Sequence, residues 1–259
     1  MKLRYHARTD VGRARGRNED FYGIGQGEIV DRLGTLLVLC DGAGGHASGE
    51  VASRMAVEAI LTTYYDDQDA DRASALKRAF AFANAYIYAQ GRNMLTTAVA
   101  ALFYHATLHV ANVGDSRAYL IRATAVRQIT RDHSFVSEQV AAGLITPDEA
   151  RVSPYRGMIT RSIGYQEEVA IDLFQVPLAI GDDVVLCCDG LHGLVTDAEI
   201  GQIVVNDSVE AAVDRLIDMA NQRGGDDNIT VVVARVEALD GAAGQSRHDP
   251  SARICRQAR

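Results

Sequence analysis

The chain has 259 residues with 26 Lys and Arg against 34 Asp and Glu, a net charge of -8, and 47% hydrophobic residues. That composition supports a sizeable core, excludes a disordered chain, and lacks the dense basic footprint of a nucleic-acid binder. No apolar run approaches the roughly 18 residues of a membrane span, and the first eight residues have no signal-peptide core. The chain is therefore read as cytoplasmic, with neither nucleic acid nor membrane as a partner.

Residues 3–26 alternate loosely and are predicted as two strands around a basic turn that includes Arg13, Arg15 and Arg17. Residues 33–41 read as a buried strand, because the apolar run Leu36-Leu37-Val38-Leu39-Cys40 is short and bounded by turn residues. Residues 47–65 and 72–91 carry apolar side chains at helical spacing: Val51, Met55, Ile60 and Leu61 in the first, Leu76, Phe80, Ala83 and Ile87 in the second. Residues 97–104, 106–113 and 117–122 are three dense β runs whose tight joins favour an antiparallel meander. Residues 125–129 add a short strand. Two short helices follow over 134–152, broken at Gly143; the second is capped by Thr146, with Pro147 at its first position and Glu149 at its third. Residues 153–168 lack periodicity and read as a loop or flap. Strands at 169–176 and 183–189, amphipathic helices at 197–205 and 209–222, and a last strand at 229–236 complete the pattern. One domain over 1–237 and a disordered tail over 238–259 are expected. This order suggests antiparallel sheets inside and helices outside, since a Rossmann-type sheet needs regular strand–helix alternation.

The apolar run at 36–40 ends in Asp41 and a glycine-rich turn. The same grammar returns at Asp189-Gly190 and, more loosely, at Gly114-Asp115 and Asp226-Asp227-Asn228. A bare carboxylate at the end of a buried strand is costly, so four such positions point to convergence around a cation. A carboxylate-only set suits hard divalent ions, Mg²⁺ or Mn²⁺, whereas zinc would call for His or Cys ligands. The seven histidines are scattered and read as surface or packing residues. Two ions held by Asp41, Asp189 and Asp227 could activate a water and clamp a phosphoryl group. Arginine in the turn near residue 15 could offer a bidentate fork to an oxyanion. Competing motifs fail. Residues 42–47 superficially match a dinucleotide fingerprint, but Asp41 would face the pyrophosphate and the acidic second strand is missing. The Walker B-like run at 36–41 has no phosphate-binding loop, and no Gly-x-Ser-x-Gly elbow occurs. The cysteines Cys40, Cys187, Cys188 and Cys255 fit no zinc or disulfide spacing. They read as buried small hydrophobes of a reducing compartment, although Cys40 and Cys188 each adjoin a candidate ligand.

Several motifs together resemble one family. Arg15-Gly16-Arg17-Asn18-Glu19-Asp20, Asp41-Gly42-Ala43-Gly44-Gly45-His46 with Gly49-Glu50, Asn112-Val113-Gly114-Asp115-Ser116-Arg117, Thr130-Arg131-Asp132-His133-Ser134, Thr160-Arg161-Ser162-Ile163-Gly164, Asp189-Gly190-Leu191 and Asp227-Asn228-Ile229-Thr230 occur in order. They resemble the metal-dependent protein serine/threonine phosphatases of type 2C, in their bacterial branch, over about residues 8–236. The resemblance implies an α+β fold, layered α-β-β-α, with two antiparallel sheets sandwiched between pairs of helices. It implies two or three Mn²⁺ or Mg²⁺ ions: Asp41 bridging two, the Gly42 carbonyl on one, Asp189 and Asp227 on the other. Glu19 and Asp20 would act mainly through bound waters, and Asp115 would help hold a weaker third ion. Arg15 would bind the phosphate, and residues 143–165 would form the variable flap. The implied activity is hydrolysis of phosphoserine and phosphothreonine on proteins by a metal-bridging hydroxide, reversing a bacterial Hanks-type kinase. The implied partners are phosphoprotein substrates and that cognate Ser/Thr kinase, with the chain a monomer. A phosphatase dedicated to one regulatory protein, and a catalytically silent phosphoprotein-binding module, are the alternative readings.

Three departures from the family pattern stand out. Leu95-Thr96-Thr97 replaces Gly-Thr-Thr, so the turn into that strand is expected to differ. Ala43 stands where relatives carry Met or a histidine acid, leaving the leaving-group proton to water or to another residue such as His46. Cys188 replaces a common Ser.

Overall fold

The computed structural model describes residues 1–43, 48–91 and 94–239. In chain order these form β1 (Lys2–Asp10), β2 (Asp20–Ile24), α1 (Ile29–Leu33), β3 (Thr35–Ala43), α2 (Ser48–Asp66), α3 (Arg72–Tyr88), β4 (Leu95–Thr96), β5 (Ala98–Tyr104), β6 (Thr107–Val113), β7 (Arg117–Arg122), β8 (Ala125–Gln128), α4 (Phe135–Ala141), α5 (Pro147–Val152), β9 (Asp172–Pro177), β10 (Asp183–Cys187), α6 (Asp189–His192), α7 (Asp197–Asn206), α8 (Val209–Gln222) and β11 (Ile229–Ala238). From residue 240 onward the predicted tail, with Cys255, lies outside the described residues, as does His46. Among the described residues no helix is long and apolar enough to cross a membrane.

Two antiparallel sheets stack. One has the order β1-β11-β10-β7-β8; the other runs β2-β3-β5-β6-β9, with β4 paired to β3. The central strands are apolar without interruption because both of their faces are covered. In β3, Leu37 and Leu39 point to the inter-sheet core with Val99, Phe103, Leu186 and Val232. Leu36, Val38 and Cys40 point outward to Ile60, Leu76 and Phe80 of α2 and α3. In β10, Val185 and Cys187 face Ile203, Val213 and Leu216 of α7 and α8, while Leu186, and Cys188 just past the strand end, face the inter-sheet core. Strand alternation thus sends the adjacent cysteines into different layers. Cys40, Cys187 and Cys188 are free and buried, as expected. The helix–sheet–sheet–helix layering expected from the resemblance is present.

Two expectations need correction. The three runs over 97–122 do not make one meander. β5 and β6 form a hairpin, but β7 pairs with β10 and β8 in the other sheet. The switch occurs at Gly114, at φ +109, where a Cβ would lie 2.6 Å from Thr97 Cβ; glycine there lets the chain cross between layers. The run expected to be strand through Asp189 ends at Cys187, and Asp189 opens the one-turn helix α6. The Thr146–Glu149 capping box of α5 forms as expected. Residues 153–168 contribute only isolated bridges, Ser134 to Ile159 and Thr96 to Ile163.

Candidate metal centre

Strand pairing places Asp20 of β2 directly opposite Asp41 of β3. The Asp41 main chain is held on both sides: its N–H donates to Thr97 Oγ1 at 3.0 Å, and its carbonyl accepts from Thr96 Oγ1 and Thr97 N at 2.8 Å each. Both threonines of Leu95-Thr96-Thr97 therefore keep their place. Leu95 forms the short β4 bridge to Ala43 instead of a glycine turn. Gly42 follows Asp41 where there is no room for a side chain: a Cβ would lie 2.2 Å from the Gly49 carbonyl oxygen and 2.7 Å from that of Glu19. That contact brings the start of α2 and Glu19 against the strand end.

The other acids arrive from the second sheet. Asp227 precedes β11, and Asp189 follows β10; Gly190 sits so close to the Asn228 carbonyl that a Cβ would be 2.0 Å from it. Asn228 closes the arrangement. Its Nδ2 donates to the carbonyls of Val11 and Arg17 at 2.9 Å each, and its Oδ1 accepts from Glu19 N at 2.8 Å. The basic turn is thereby pinned over the acids, and Arg15 Nη2 donates to Asp227 Oδ2 at 2.6 Å. Thr230 Oγ1 donates to Asp20 Oδ2 at 2.6 Å. Asp115, buried in the inter-sheet crossing, has its carbonyl beside His192 Nε2 at 3.0 Å.

Electrostatics show how crowded this end of the sandwich is. Burial pushes Asp41 well above the usual carboxylate range, reinforced by Asp20, Asp189, Asp115 and Asp227. Burial pushes Asp20 up to about 7. Asp189 is raised by burial and then by Asp227, Asp115 by burial and then by Asp189, and Glu19 by burial against the pull of Arg15. Among the described residues Arg15 is the one cation hydrogen-bonded into this group. Asp20 Oδ1 and Asp189 Oδ1 are buried with no hydrogen-bond partner. Ligand atoms of Asp20, Asp41 and Cys188 lie within 4.8 Å of one another, but Cys188 Sγ already donates to the Asn228 carbonyl and accepts from Thr230 N. What is left is an oxygen-rich, cation-poor cluster with orphaned carboxylate oxygens, a donor set that fits hard divalent ions.

Every residue predicted for the site, Arg15, Glu19, Asp20, Asp41, Gly42, Asp115, Asp189 and Asp227, falls in this cluster or against it. Sequence reasoning assigned no part to Asn228, Thr96, Thr97 or Thr230, although each lies in a motif it singled out. Asn228 had a signal, the polar residue next to Asp227; Thr96, Thr97 and Thr230 meet their aspartates only through strand pairing and packing. Ala43 offers no proton.

A family model described as Protein phosphatase 2C matches residues 31–168, more than half of the chain. Serine/threonine protein phosphatase PstP of Mycobacterium tuberculosis is 38% identical over 247 residues, covering 93% of this chain; the chain spans only 46% of that relative's length. Protein phosphatase PhpP of Streptococcus pneumoniae is 37% identical over 244 residues, covering 90% of this chain and 97% of its own. A crystal structure of the PstP catalytic domain in complex with two manganese ions matches with a TM-score of 0.79 and 38% identity, covering 91% of this chain and 99% of that one.

Proposed function

The chain belongs to the protein phosphatase 2C family, and from that premise we propose that it is a metal-dependent phosphatase acting on phosphoserine and phosphothreonine of proteins, in opposition to a Ser/Thr kinase. The observation that carries this reading is the cluster of six carboxylates, Glu19, Asp20, Asp41, Asp115, Asp189 and Asp227, into which, among the described residues, only the Arg15 guanidinium is paired. Asp41, Asp189 and Asp227 would hold two divalent ions, Mn²⁺ or Mg²⁺, with the Gly42 carbonyl, Glu19 and Asp20 completing the surroundings and Asp115 serving a third. The two manganese ions of the PstP structure support that count for a relative. When bound, such ions supply an activated water nucleophile and positive charge against the phosphoryl oxygens.

The chain's own residues do the rest. Arg15, half exposed and tethered by Asp227, presents a fork that matches two phosphate oxygens. Thr96 and Thr97 hold the Asp41 backbone so that its carboxylate needs no reorganisation during reaction. Asn228 holds the turn that carries Arg15 and Glu19. The proton for the departing serine or threonine oxygen comes from water or from a residue such as His46. Partners are phosphoproteins and the kinase that modifies them; the protein acts as a monomer in the cytoplasm, a reading supported by three free buried cysteines that suit a reducing compartment. The retained acids speak against a catalytically silent module.

The test is phosphate release from a phosphothreonine peptide with Mn²⁺, with Mg²⁺ and with EDTA. Release is expected with the metals and not with EDTA. A folded protein that releases no phosphate under any of the three conditions, or that works equally well in EDTA, overturns the proposal.

A further inference from the structure

Beside the acidic cluster lies a cavity of about 490 Å³, walled by Asp115 and Asp189 on one side and by α4, α5 and Arg156 of the flap on the other. A space of that size accepts one or two side chains. Four arginines line it: Arg117, Arg131, Arg151 and Arg156. They are not equivalent. Arg117 is spent on two acids of the same wall, bonding Asp132 through Nε at 3.0 Å and Nη2 at 2.6 Å and lying 3.5 Å from Asp197. Arg131, Arg151 and Arg156 are exposed, and among the described residues none has a carboxylate within ion-pair distance. The remaining acids of the wall, Asp115 and Asp189, belong to the metal cluster. The cavity therefore joins the reaction centre to three uncommitted guanidinium groups over an apolar floor of Val136, Val140 and Pro147.

We infer that this cavity is a second anion subsite, which takes a carboxylate or a second phosphate flanking the phosphorylated residue of the substrate. The inference rests on the phosphatase reading for the identity of the ligand, and the geometry supplies the rest. Guanidinium forks match both anions, and a charge placed one or two residues from the scissile phosphate would reach Arg151 and Arg156 while that phosphate sits at the acidic cluster.

The experiment compares three phosphothreonine peptides: one with neutral flanks, one with Asp and Glu flanks, and one with a second phosphorylated residue. Specificity is read as kcat/KM with Mn²⁺. Binding of the Asp/Glu and neutral peptides, with alanine at the target position, is read by fluorescence anisotropy. The anionic peptides are expected to be favoured by about tenfold, a preference built from several partly exposed ion pairs and eroded by added salt. The double variant Arg151→Gln/Arg156→Gln should bring the ratio close to one. Arg151→Glu/Arg156→Glu should turn the preference towards Lys-flanked peptides. Circular dichroism checks that these surface variants fold, and Arg131→Gln should lower the ratio part of the way by itself. A preference for the doubly phosphorylated peptide alone assigns phosphate as the ligand; a preference for both assigns anions generally. Equal kcat/KM for all three peptides, or a preference that survives both double variants, overturns the subsite. Failure of the phosphatase reading looks different: no phosphate from any peptide or from a small aryl phosphate. The anisotropy contrast between acidic and neutral peptides then still decides whether the cavity binds anions.

Discussion

Asp189 opens α6 with one carboxylate oxygen unpartnered, close enough to Asp41 that its charge helps to raise that carboxyl. Two acids in such contact share a proton unless a cation intervenes. Asp189→Asn keeps the shape and removes the charge. Turnover should fall by at least a hundredfold because the proposed metal site loses a charged ligand. In EDTA the same variant should melt about 2–4 °C higher than the parent, because a repelled buried charge is gone, and its gain in Tm on adding Mn²⁺ should shrink. Near-normal turnover at saturating Mn²⁺, or a lower Tm in EDTA, would contradict the ligand assignment. Arg15 is tested differently. Arg15→Lys keeps the charge but loses the fork, so kcat/KM should fall about tenfold or more. A fully active lysine variant would mean that Arg15 acts as a point charge only.

Turns and strand ends carry the site, and Asn228 shows how few groups hold them together. Its three hydrogen bonds tie the segment of Val11, Arg17 and Glu19 to the start of β11. Asn228→Ala leaves two carbonyls and one N–H without partners at a buried position. A cost of about 2–4 kcal/mol is expected in urea unfolding, together with a higher Mn²⁺ concentration for half-maximal activity, because Arg15 and Glu19 ride on that segment. Unchanged stability would show that the turn is held by other contacts. At this scale the sequence was informative wherever periodicity was long. β3, β5, β6, β10 and β11 stood out as apolar runs, α8 as an amphipathic helix, and α5 by its capping residues. The elements that escaped notice, α1, β4 and α6, are five, two and four residues long, too short to show a period. The crossing at residues 114–116 was misread for a related reason. A two- or three-residue join looks the same whether the next strand returns beside its neighbour or leaves for another sheet, and only packing decides.

At the scale of the whole molecule, the two sheets bring the ends of β3, β10 and β11 to one edge of the sandwich, and the acids gather there. The recurrence of Asp after an apolar run made that convergence legible. The cavity was not legible, because its wall combines β7, α6 and the flap, and nothing in the local pattern of Arg131, Arg151 or Arg156 says that they meet. Gathering carboxylates without metal has a consequence for the entire fold. A group whose pKa is raised on folding contributes stability that is full below its unfolded value and is lost as pH rises through its folded value. For the acids of the cluster that loss runs from about pH 4 upward, through about 7 for Asp20 and, for Asp41 and Asp115, also well above the ordinary carboxylate range. His192, His133 and His109 oppose it. Burial lowers all three, so their contribution is present above about 6.5 and is lost as pH falls. Each pH unit over which one group's protonation differs between folded and unfolded chains is worth about 1.4 kcal/mol. Between pH 8 and 5 the histidines titrate over only the lower half of the window, whereas Asp20 titrates within it and Asp41 and Asp115 are held well above the ordinary carboxylate range, so the acids win. Glu199, held low chiefly by Arg223, titrates below this range and does not enter. In EDTA the protein should therefore melt at a higher temperature at pH 5 than at pH 8. With saturating Mn²⁺ the acids are compensated as carboxylates, proton uptake competes with the ion, and the order should reverse. Melting curves at the two pH values with EDTA and with Mn²⁺ test this directly. His192→Gln, which keeps a donor for the Asp115 carbonyl, should steepen the slope in EDTA and flatten it in Mn²⁺. If Tm shifts in the same direction with pH in both media, the carboxylates are not held together against their own repulsion, and the metal does not compensate them.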